Sequence, residues 1–276
     1  MCIGAVVSGA MFGDNLSMIS DTTIAAVRTQ GCQMKDKFKQ NFLIVLPAAI
    51  ITIALFYIRT GGVHVDTVEV LDYNIPQIIP YIFVLIAALI GLNVFFVLVI
   101  GIVLSMGIGI AYGKFTVIES FSYIGKGMSG LFEISLISLI VACIVSLIKE
   151  NGGIELIITF IRNRIKGKKG AEFGIAILTI LVDLCTANNT VAIVMAGPIA
   201  KEIGDEFEIE PKRVASILDI FASVGQGLIP YGAQLLSAAT LVKLTPFDII
   251  PNLYYPVLMC ISAVLFMAFR KHNKNA

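Results

Sequence analysis

Long apolar segments alternate with shorter polar ones along most of the chain. Uninterrupted apolar runs predict membrane-spanning helices at 42–58, 77–92, 94–112, 131–148 and 254–269. The stretch at 115–130 mixes polar and apolar residues, which predicts an interfacial segment, and the stretch at 154–165 is amphipathic. The pattern therefore predicts an all-α fold that crosses a membrane several times.

Three further apolar segments, at 9–27, 171–204 and 214–242, are interrupted by polar residues. In the first, the polar run extends from Asp14 to Thr23, and the residues before Asp14 would form only about 20 Å of helix. That length cannot cross a hydrocarbon core of about 30 Å. A backbone break at membrane depth is tolerated only where protein covers it or where it lines a wet cavity. We therefore predict a broken helix here. The alternative is a surface loop in which Ser20 or Asp21 caps the following helix.

The first and third interrupted segments introduce similar units, each a broken helix, a linker and an apolar span. The first leads to Asn41 and Pro47, and the third leads to Asn252 and Pro256, at an offset of roughly 210 residues. Internal repeats of this kind are typical of secondary transporters. They predict that residues 1–58 are the end of a first repeat and that 74–270 form a second one. The first repeat would lack its opening elements, so we expect an N-terminally truncated chain.

The distribution of Lys and Arg tests whether 171–204 crosses the membrane or enters and returns. If it is a re-entrant hairpin, sixteen of the 20 basic residues lie on one side and Arg59, Lys114, Lys126 and Lys243 on the other. If it crosses, the split is 11 to 9. Basic residues are enriched on the cytoplasmic side, which favours the hairpin. This arrangement predicts inverted repeats, a cytoplasmic C-terminus and a hairpin tip at 186–190 that faces the broken helices.

Composition supports an integral protein of the cell membrane and excludes several other classes. Apolar residues make up 57% of the chain, charged residues 14%, and the mean hydropathy is +0.91. A net charge of +1 gives no sign of a nucleic-acid partner. The five cysteines are scattered and the two histidines, His64 and His272, are far apart, so neither disulfides nor a metal pair is indicated. No nucleophile or metal constellation points to an enzyme.

The interrupted segments carry the chemistry, because their side chains offer oxygen atoms. Hard cations bind oxygen ligands, and ionisable groups at membrane depth are usually functional. The candidate cation- and proton-binding residues are Asp14, Asn15, Ser17, Ser20, Asp21 and Thr22 in the first segment, and Asp183, Thr186, Asn188, Asn189 and Thr190 in the second. Asp219, Gln226 and Gln234 are weaker candidates. Helix capping by Asn188 and Asn189 is an open alternative to ion binding.

The run Gly13-Asp-Asn-Leu-Ser-Met-Ile-Ser-Asp-Thr-Thr23, followed by Lys37-Phe38 and Asn41, resembles the Gly-Asp-x-x-Ser-x-x-Ser-Asp-Thr-Thr motif of the NhaC family of Na+/H+ antiporters. The resemblance covers most of the chain and is sharpest at 9–42. It departs from the family at Met18, where many members have proline, and in the absent N-terminal part. The resemblance implies inverted repeats with broken helices and a re-entrant hairpin. It places Asp14, Ser17, Ser20, Asp21 and Thr22 at the motif positions, and it implies no cofactor beyond the transported Na+ and H+.

Exchange requires a site that holds either ion but not both, and a carboxylate can do this. Burial raises the pKa of a carboxyl group and a nearby cation lowers it, so that protons and Na+ compete. We predict Asp14, Ser17 and Asp21 as Na+ ligands. Asp14 is favoured over Asp21 as the titrating group, because it lies within the break rather than at a helix start.

Two other functions stay open. One is a carrier of dicarboxylates or amino acids coupled to Na+ and H+, although the breaks contain no basic residue, which favours a cation-only site. The other is an inactive fragment or a membrane subunit that needs a partner. Besides the lipid bilayer, that partner would be a second copy of the chain or a separately encoded N-terminal half.

Overall fold

The computed structural model describes residues 1–269 except 18–19, 62–74, 90–91, 154–155, 157–158 and 161–162. Met18, His64, His272 and half of the amphipathic stretch at 154–165 therefore lie outside the described residues. The chain forms two compact units, one made of Met1–Gly62 with Ile134–Ala276 and the other of Val63–Glu133.

All the regular secondary structure in the described part of the chain is helical, which confirms the predicted all-α class. The α-helices are α1 (Cys2–Asn15), α2 (Asp21–Gln30), α3 (Met34–Thr60), α4 (Ile79–Leu89), α5 (Val94–Ala111), α6 (Val117–Glu150), α7 (Gly167–Thr186), α8 (Asn189–Glu206), α9 (Pro211–Leu228), α10 (Ala233–Val242), α11 (Pro246–Ile249) and α12 (Tyr254–Phe269). Short 3₁₀ turns occur at Ile75–Ile78 and Ile250–Asn252.

The first predicted break is present between α1 and α2. Helix α1 ends at Asn15, and Ser20 has an extended backbone (φ −60°, ψ 138°) before α2 begins. Asp14 lies in the last turn of α1, so it is at a helix end rather than within the non-helical residues. Asp21 is the first residue of α2, as predicted.

Two predicted boundaries were wrong. Helix α3 begins at Met34, eight residues before the predicted span at 42–58, so Lys37 and Asn41 are helical and buried rather than part of a polar linker. The segments predicted separately at 115–130 and 131–148 form one helix, α6, of 34 residues. The glycines inside α6 do not end the helix, because one glycine in a helix interior reduces helix stability by only about 1 kcal/mol. No proline interrupts this segment.

The predicted hairpin is formed by α7 and α8, which pack against each other. Ala187, in the left-handed region with φ 49°, and Asn188 connect them. The Asn188 Oδ1 accepts a hydrogen bond from the Val191 N–H at 3.0 Å and so caps α8. This contact supports the capping role that the sequence left open for Asn188.

Helix α9 is the centre of the first unit. Every residue from Arg213 to Gly227 is buried, and the helix packs against α1, α2, α3, α7, α8 and α12. The break predicted at 223–234, in the third interrupted segment, is shorter than predicted. Residues 223–228 continue α9, and this second break is confined to 229–232, where Pro230 lacks the N–H that would continue the helix.

Among the described helices, two segments are long and apolar enough to cross a membrane. These are Met34–Thr60, with a mean hydropathy of 2.3, and Pro211–Val242, with a mean hydropathy of 1.3. A third is obtained if Pro246–Asn252 and Tyr254–Phe269, which meet at a bend of 52°, count as one span. The chain is therefore a helical membrane protein.

The second unit contains α4 and α5, which pack together. The Asn93 Oδ1 accepts from the Phe95 N–H at 3.0 Å and caps α5. Gly101 of α5 lies directly against Val84 of α4, which leaves no room for a side chain. Small residues permit this close approach between helices.

Candidate functional site

Four of the candidate residues meet across the first break. The Ser20 hydroxyl donates a hydrogen bond to Asp14 Oδ1 at 2.5 Å and lies 2.9 Å from Thr22 Oγ1. The Ser17 Oγ accepts from the Ser20 N–H at 3.1 Å. The extended backbone at Ser20 turns its hydroxyl back towards the end of α1. We call Asp14, Ser17, Ser20 and Thr22 the Asp14 cluster.

The Asp14 cluster combines one carboxylate with three hydroxyl groups in a sheltered position. Asp14 is half-buried, and Ser20 and Thr22 are buried. A hydroxyl group can rotate, so the same oxygen that donates to a carboxylate can turn a lone pair towards a cation. The cluster can therefore accept either a proton or a small cation, as the sequence predicted, although ion binding itself stays a prediction.

Asp21 makes different contacts. Its Oδ1 accepts from the Thr22 N–H at 2.9 Å, and its Oδ2 accepts from the Thr190 hydroxyl at 2.6 Å. Thr190 lies in the first turn of α8, beside the hairpin tip. Asp21 therefore connects the first break to the hairpin and is not hydrogen-bonded to Asp14.

A second polar cluster lies next to the first, inside the protein. Lys37 of α3 forms an ion pair with Asp219 of α9 and donates to Thr23 Oγ1 at 2.6 Å. The Asn41 Nδ2 donates to Asp219 Oδ2 at 2.9 Å and to the Asn15 carbonyl at 3.2 Å. Lys37 is only 1% exposed and Asp219 is fully buried. These five residues, which we call the Lys37 cluster, connect α1, α2, α3 and α9.

Sequence reasoning missed most of the Lys37 cluster. It assigned Lys37 to a linker, treated Asn41 only as part of a motif, ranked Asp219 as a weaker candidate and placed Asn15 with Asp14. The missed signal is the four-residue spacing of Lys37 and Asn41, which puts both on one helix face. The breaks themselves contain no basic residue, but Lys37 brings a basic group next to the first break.

The candidates in the hairpin do not join the Asp14 cluster. Asp183 lies inside α7, fully buried against Gly225 of α9, and neither of its carboxyl oxygens has a hydrogen-bond partner of ordinary geometry among the described residues, although the Gln226 backbone N–H approaches it. The Thr186 hydroxyl donates to the Asn188 carbonyl at 3.2 Å. The Asn189 Oδ1 accepts from the Thr190 N–H at 2.9 Å. The side chains of the tip therefore mainly stabilise the hairpin.

A cavity of about 390 Å³ brings the two breaks and the hairpin tip together. Its polar walls include Asp14 from α1, Asn189 from α8 and Gln226 from α9, and most of the remaining wall is apolar. The Gln234 Nε2 donates to the Gln226 carbonyl at 2.8 Å across the second break. No group of three or more His, Cys, Asp or Glu residues suited to a metal ion occurs in the described part of the chain.

Comparison with protein families finds a match at residues 76–271 to the model described as the Na+/H+ antiporter family. The match includes the hairpin and the second break, where the motif resemblance is weaker. It does not include the first break, where the resemblance is sharpest.

Several characterised proteins are similar over nearly the whole chain. They include the malate-2H(+)/Na(+)-lactate antiporter of Bacillus subtilis strain 168, 20% identical over 91% of this chain and 60% of that protein. The Na(+)/H(+) antiporter NhaC of the same organism is 24% identical over 91% of this chain and 63% of its own length.

The arginine/ornithine antiporter ArcD of Halobacterium salinarum is 20% identical over 99% of this chain and 63% of its own length. That alignment therefore includes the first break. The chain spans about three fifths of the length of these relatives. No solved structure matches it.

Proposed function

The chain belongs to the Na+/H+ antiporter family, and on this basis we propose that it is a secondary transporter that exchanges Na+ for H+ across the cell membrane. The relatives named above as antiporters support this proposal. The excess of Lys and Arg on one side supports several membrane crossings with a cytoplasmic C-terminus.

The observation that carries the proposal is the hydrogen bond of 2.5 Å between Ser20 and Asp14 across the first break. In the proposed mechanism, Na+ binds the Asp14 carboxylate together with hydroxyl oxygens of Ser17, Ser20 and Thr22. A proton on Asp14 removes the negative charge and so releases the cation. Competition at one carboxylate then makes the exchange obligatory.

Asp21 was predicted as a Na+ ligand, and we now propose that it also connects ion binding to the hairpin. Its Oδ2 accepts from Thr190, so an ion that draws Asp21 towards the Asp14 cluster weakens that hydrogen bond. The hairpin tip would then be released from α2 when Na+ binds. The hydrogen bond between Thr190 and Asp21 is itself exposed rather than buried.

We propose that the Lys37 cluster holds the first break in place against α9. A buried ion pair is weak evidence for net stability, and its role here would be to set the positions of the helices it joins. Lys37 and Asp219 join α3 to α9, and Asn41 also holds the end of α1 through the Asn15 carbonyl.

We also propose that the two broken-helix units are inverted repeats. Helices α1, α2 and α3 and helices α9, α10 and α12 have the same order of a half-helix, a break, a second half-helix and a following span. In carriers with inverted repeats the binding site lies between the halves. The cavity beside Asp14 has walls from both broken-helix units, namely from α1 and from α9 and α10.

The test is Na+-dependent collapse of a preformed pH gradient in everted membrane vesicles that contain the chain. We expect collapse with the wild type and none with Asp14→Asn, which removes the charge but keeps the shape. Asp36→Asn is the matched control, because Asp36 is an exposed carboxylate in the first turn of α3 and should leave exchange unchanged. Normal exchange by Asp14→Asn would contradict the assignment.

The same assay examines the alternative of a subunit that needs a partner. If the wild type is present in the membrane but does not collapse the gradient, the assay is repeated with a second chain that supplies the part of the relatives not matched here. Recovery of exchange would support a separately encoded half.

A second function is favoured by the size of the cavity. A volume of about 390 Å³ exceeds what a single Na+ needs and falls in the range of pockets that hold small organic molecules. Its acidic wall, Asp14, suits an ammonium group, and Lys37, already paired with Asp219, is not part of its walls. Amino acids fit this site better than dicarboxylates. Counterflow of labelled arginine or ornithine, compared with malate or lactate, separates the two classes.

A further inference from the structure

Two acidic residues of α7 face α9, eleven positions apart. Glu172 pairs with Arg213, and Asp183 lies against Gly225. Because the contacts advance by eleven residues on α7 and twelve on α9, the two helices run in the same direction. Eleven residues are about three helical turns, which places both acids on the same side of α7.

Asp183 has an environment unlike that of any acid in the Asp14 or Lys37 clusters. Its side chain is fully buried, neither carboxyl oxygen has a hydrogen-bond partner of ordinary geometry in the described part of the chain, and the polar group that approaches it is the backbone N–H of Gln226. Gly225 offers no side chain, and a Cβ atom there would overlap the carboxyl group. Tyr231 interacts with Asp183 electrostatically, but its hydroxyl donates to the Leu184 carbonyl at 2.7 Å.

No counter-charge reaches Asp183 from the described residues of the helices packed against α7. On α9, Lys212 pairs with Glu210, Arg213 pairs with Glu172, and Asp219 pairs with Lys37. Helix α12 has no charged residue and contributes only Tyr254, Tyr255 and Cys260 as titratable groups. The charged residues of α8 are confined to its last two turns, more than about 10 Å along the hairpin from Asp183, at Lys201, Glu202, Asp205 and Glu206.

An ionised carboxylate in such a place would carry a large desolvation cost, which a single backbone N–H, that of Gln226, offsets only in part, whereas the neutral acid avoids that cost. A cation would need several oxygen ligands around it. The hydroxyl groups about one turn before and after it on the same helix, those of Thr179 and Thr186, donate to the carbonyl oxygens of Ile175 and Asn188. The position therefore suits a proton and does not suit Na+.

We infer that Asp183 is a proton-binding residue, separate from the Asp14 cluster, that holds a proton but no cation while α7 is packed against Gly225. The proton is lost when the hairpin moves away from α9 and water reaches the carboxyl group. This inference deepens the proposed exchange function and rests on it where transport is concerned. It assigns a second proton position to the hairpin, whose tip is joined to the first break by the bond between Asp21 and Thr190.

The direct test is infrared spectroscopy of the full chain reconstituted in lipid at neutral pH. The carbonyl absorption of a protonated carboxylic acid should be present in the wild type and lost in Asp183→Asn. Asp205→Asn, which alters an exposed acid of α8, is the matched control and should keep the band. If the Asn variant does not accumulate, Asp183→Leu gives the same comparison. A spectrum in which neither Asp183 variant loses the band would overturn the inference.

Transport and binding measurements then separate this inference from the proposed function. Na+ binding is followed as a Na+-dependent rise in the thermal unfolding temperature. We expect Asp183→Asn to keep this rise but to lose Na+-dependent proton movement, whereas Asp14→Asn should lose both. Loss of Na+ binding in Asp183→Asn would overturn the inference, because it would make Asp183 a cation ligand. If the wild type itself shows no Na+ response, the proposed function fails, and the infrared result still decides the protonation of Asp183.

Discussion

Glu172 and Asp183 are both fully buried acids on α7 that face α9, yet their surroundings are opposite. Arg213 binds Glu172 through two nitrogens, with Nη2 2.9 Å from Oε2, and its guanidinium group also lies 5.2 Å from the centre of the Phe266 ring. Asp183 has no counter-charge beside it, and it lies against the backbone of Gly225 and Gln226. Burial alone therefore does not identify a functional acid. The partner decides whether a buried carboxyl group is a structural charge or a group that can exchange a proton.

The largest effect should come from removing the partner of Glu172. Arg213→Met leaves a buried carboxylate without a counter-charge and should destabilise the protein by about 3–5 kcal/mol. Thermal or denaturant unfolding of the detergent-solubilised chain measures this. The double variant Glu172→Leu with Arg213→Met is the control and should recover most of the loss, since an apolar pair of similar volume is close to neutral. Equal losses in both variants would contradict the structural role.

Replacing Asp183 by an apolar residue should have the opposite effect on stability. Asp183→Leu removes a polar group that has no partner and should leave stability unchanged or raise it by about 1 kcal/mol. Proton movement should nevertheless be lost. If Asp183→Leu destabilises the protein as much as Arg213→Met does, the two acids are equivalent and the comparison fails.

The contact between Asp183 and Gly225 can be tested from the α9 side. Gly225→Ala places a methyl group against the carboxyl group and should cost about 1–3 kcal/mol through overpacking. Shortening the acid as well, in Gly225→Ala with Asp183→Ala, should relieve this strain. Gly9→Ala is the matched control, because a Cβ at Gly9 of α1 meets open space. That control should be neutral or slightly stabilising, by at most about 1 kcal/mol.

The smallest effect on stability is expected at Asp248, an acid that is exposed rather than buried. Asp248 accepts hydrogen bonds from the Thr245 N–H at 2.9 Å and from the Thr245 hydroxyl at 2.6 Å, which together lower the pKa of Asp248 below its ordinary value. A lowered pKa stabilises the folded state at pH values above the ordinary pKa of the group. This contribution is lost as the pH falls through the lowered pKa. Asp248→Asn should therefore reduce stability slightly at neutral pH. A pH series of unfolding temperatures should show the difference from the wild type shrinking under acidic conditions.

The sequence predicted those elements whose signals are local. Helix α12 has the predicted bounds, 254–269, and α5 ends within one residue of its predicted end, because continuous apolar runs define both. The first break was visible because Asp14, Ser17, Ser20 and Thr22 are close together in the chain. The whole Asp14 cluster could therefore be predicted.

The features that the sequence did not reveal depend on distant residues. Lys37 can be buried within α3 because it is paired with Asp219, 182 positions away, and nothing near Lys37 in the chain shows that partner. Asp183 was predicted as one of several hairpin ligands. Its isolation depends on Gly225, a residue on another helix that contributes no side chain. Local patterns show which groups are polar, but they do not show which of these groups lack a partner.

The burial of α9 from Arg213 to Gly227 has a consequence for how the protein is made. This helix carries Arg213 in its first turn and Asp219 near its middle, where a single charged residue costs an inserting helix about 2.5–3.5 kcal/mol. Their counter-charges, Glu172 and Lys37, come earlier in the chain. By the time the ribosome reaches α9, both partner helices have already been synthesised. Because of this order in the chain, each charge of α9 can enter the membrane next to a partner helix that has already been synthesised.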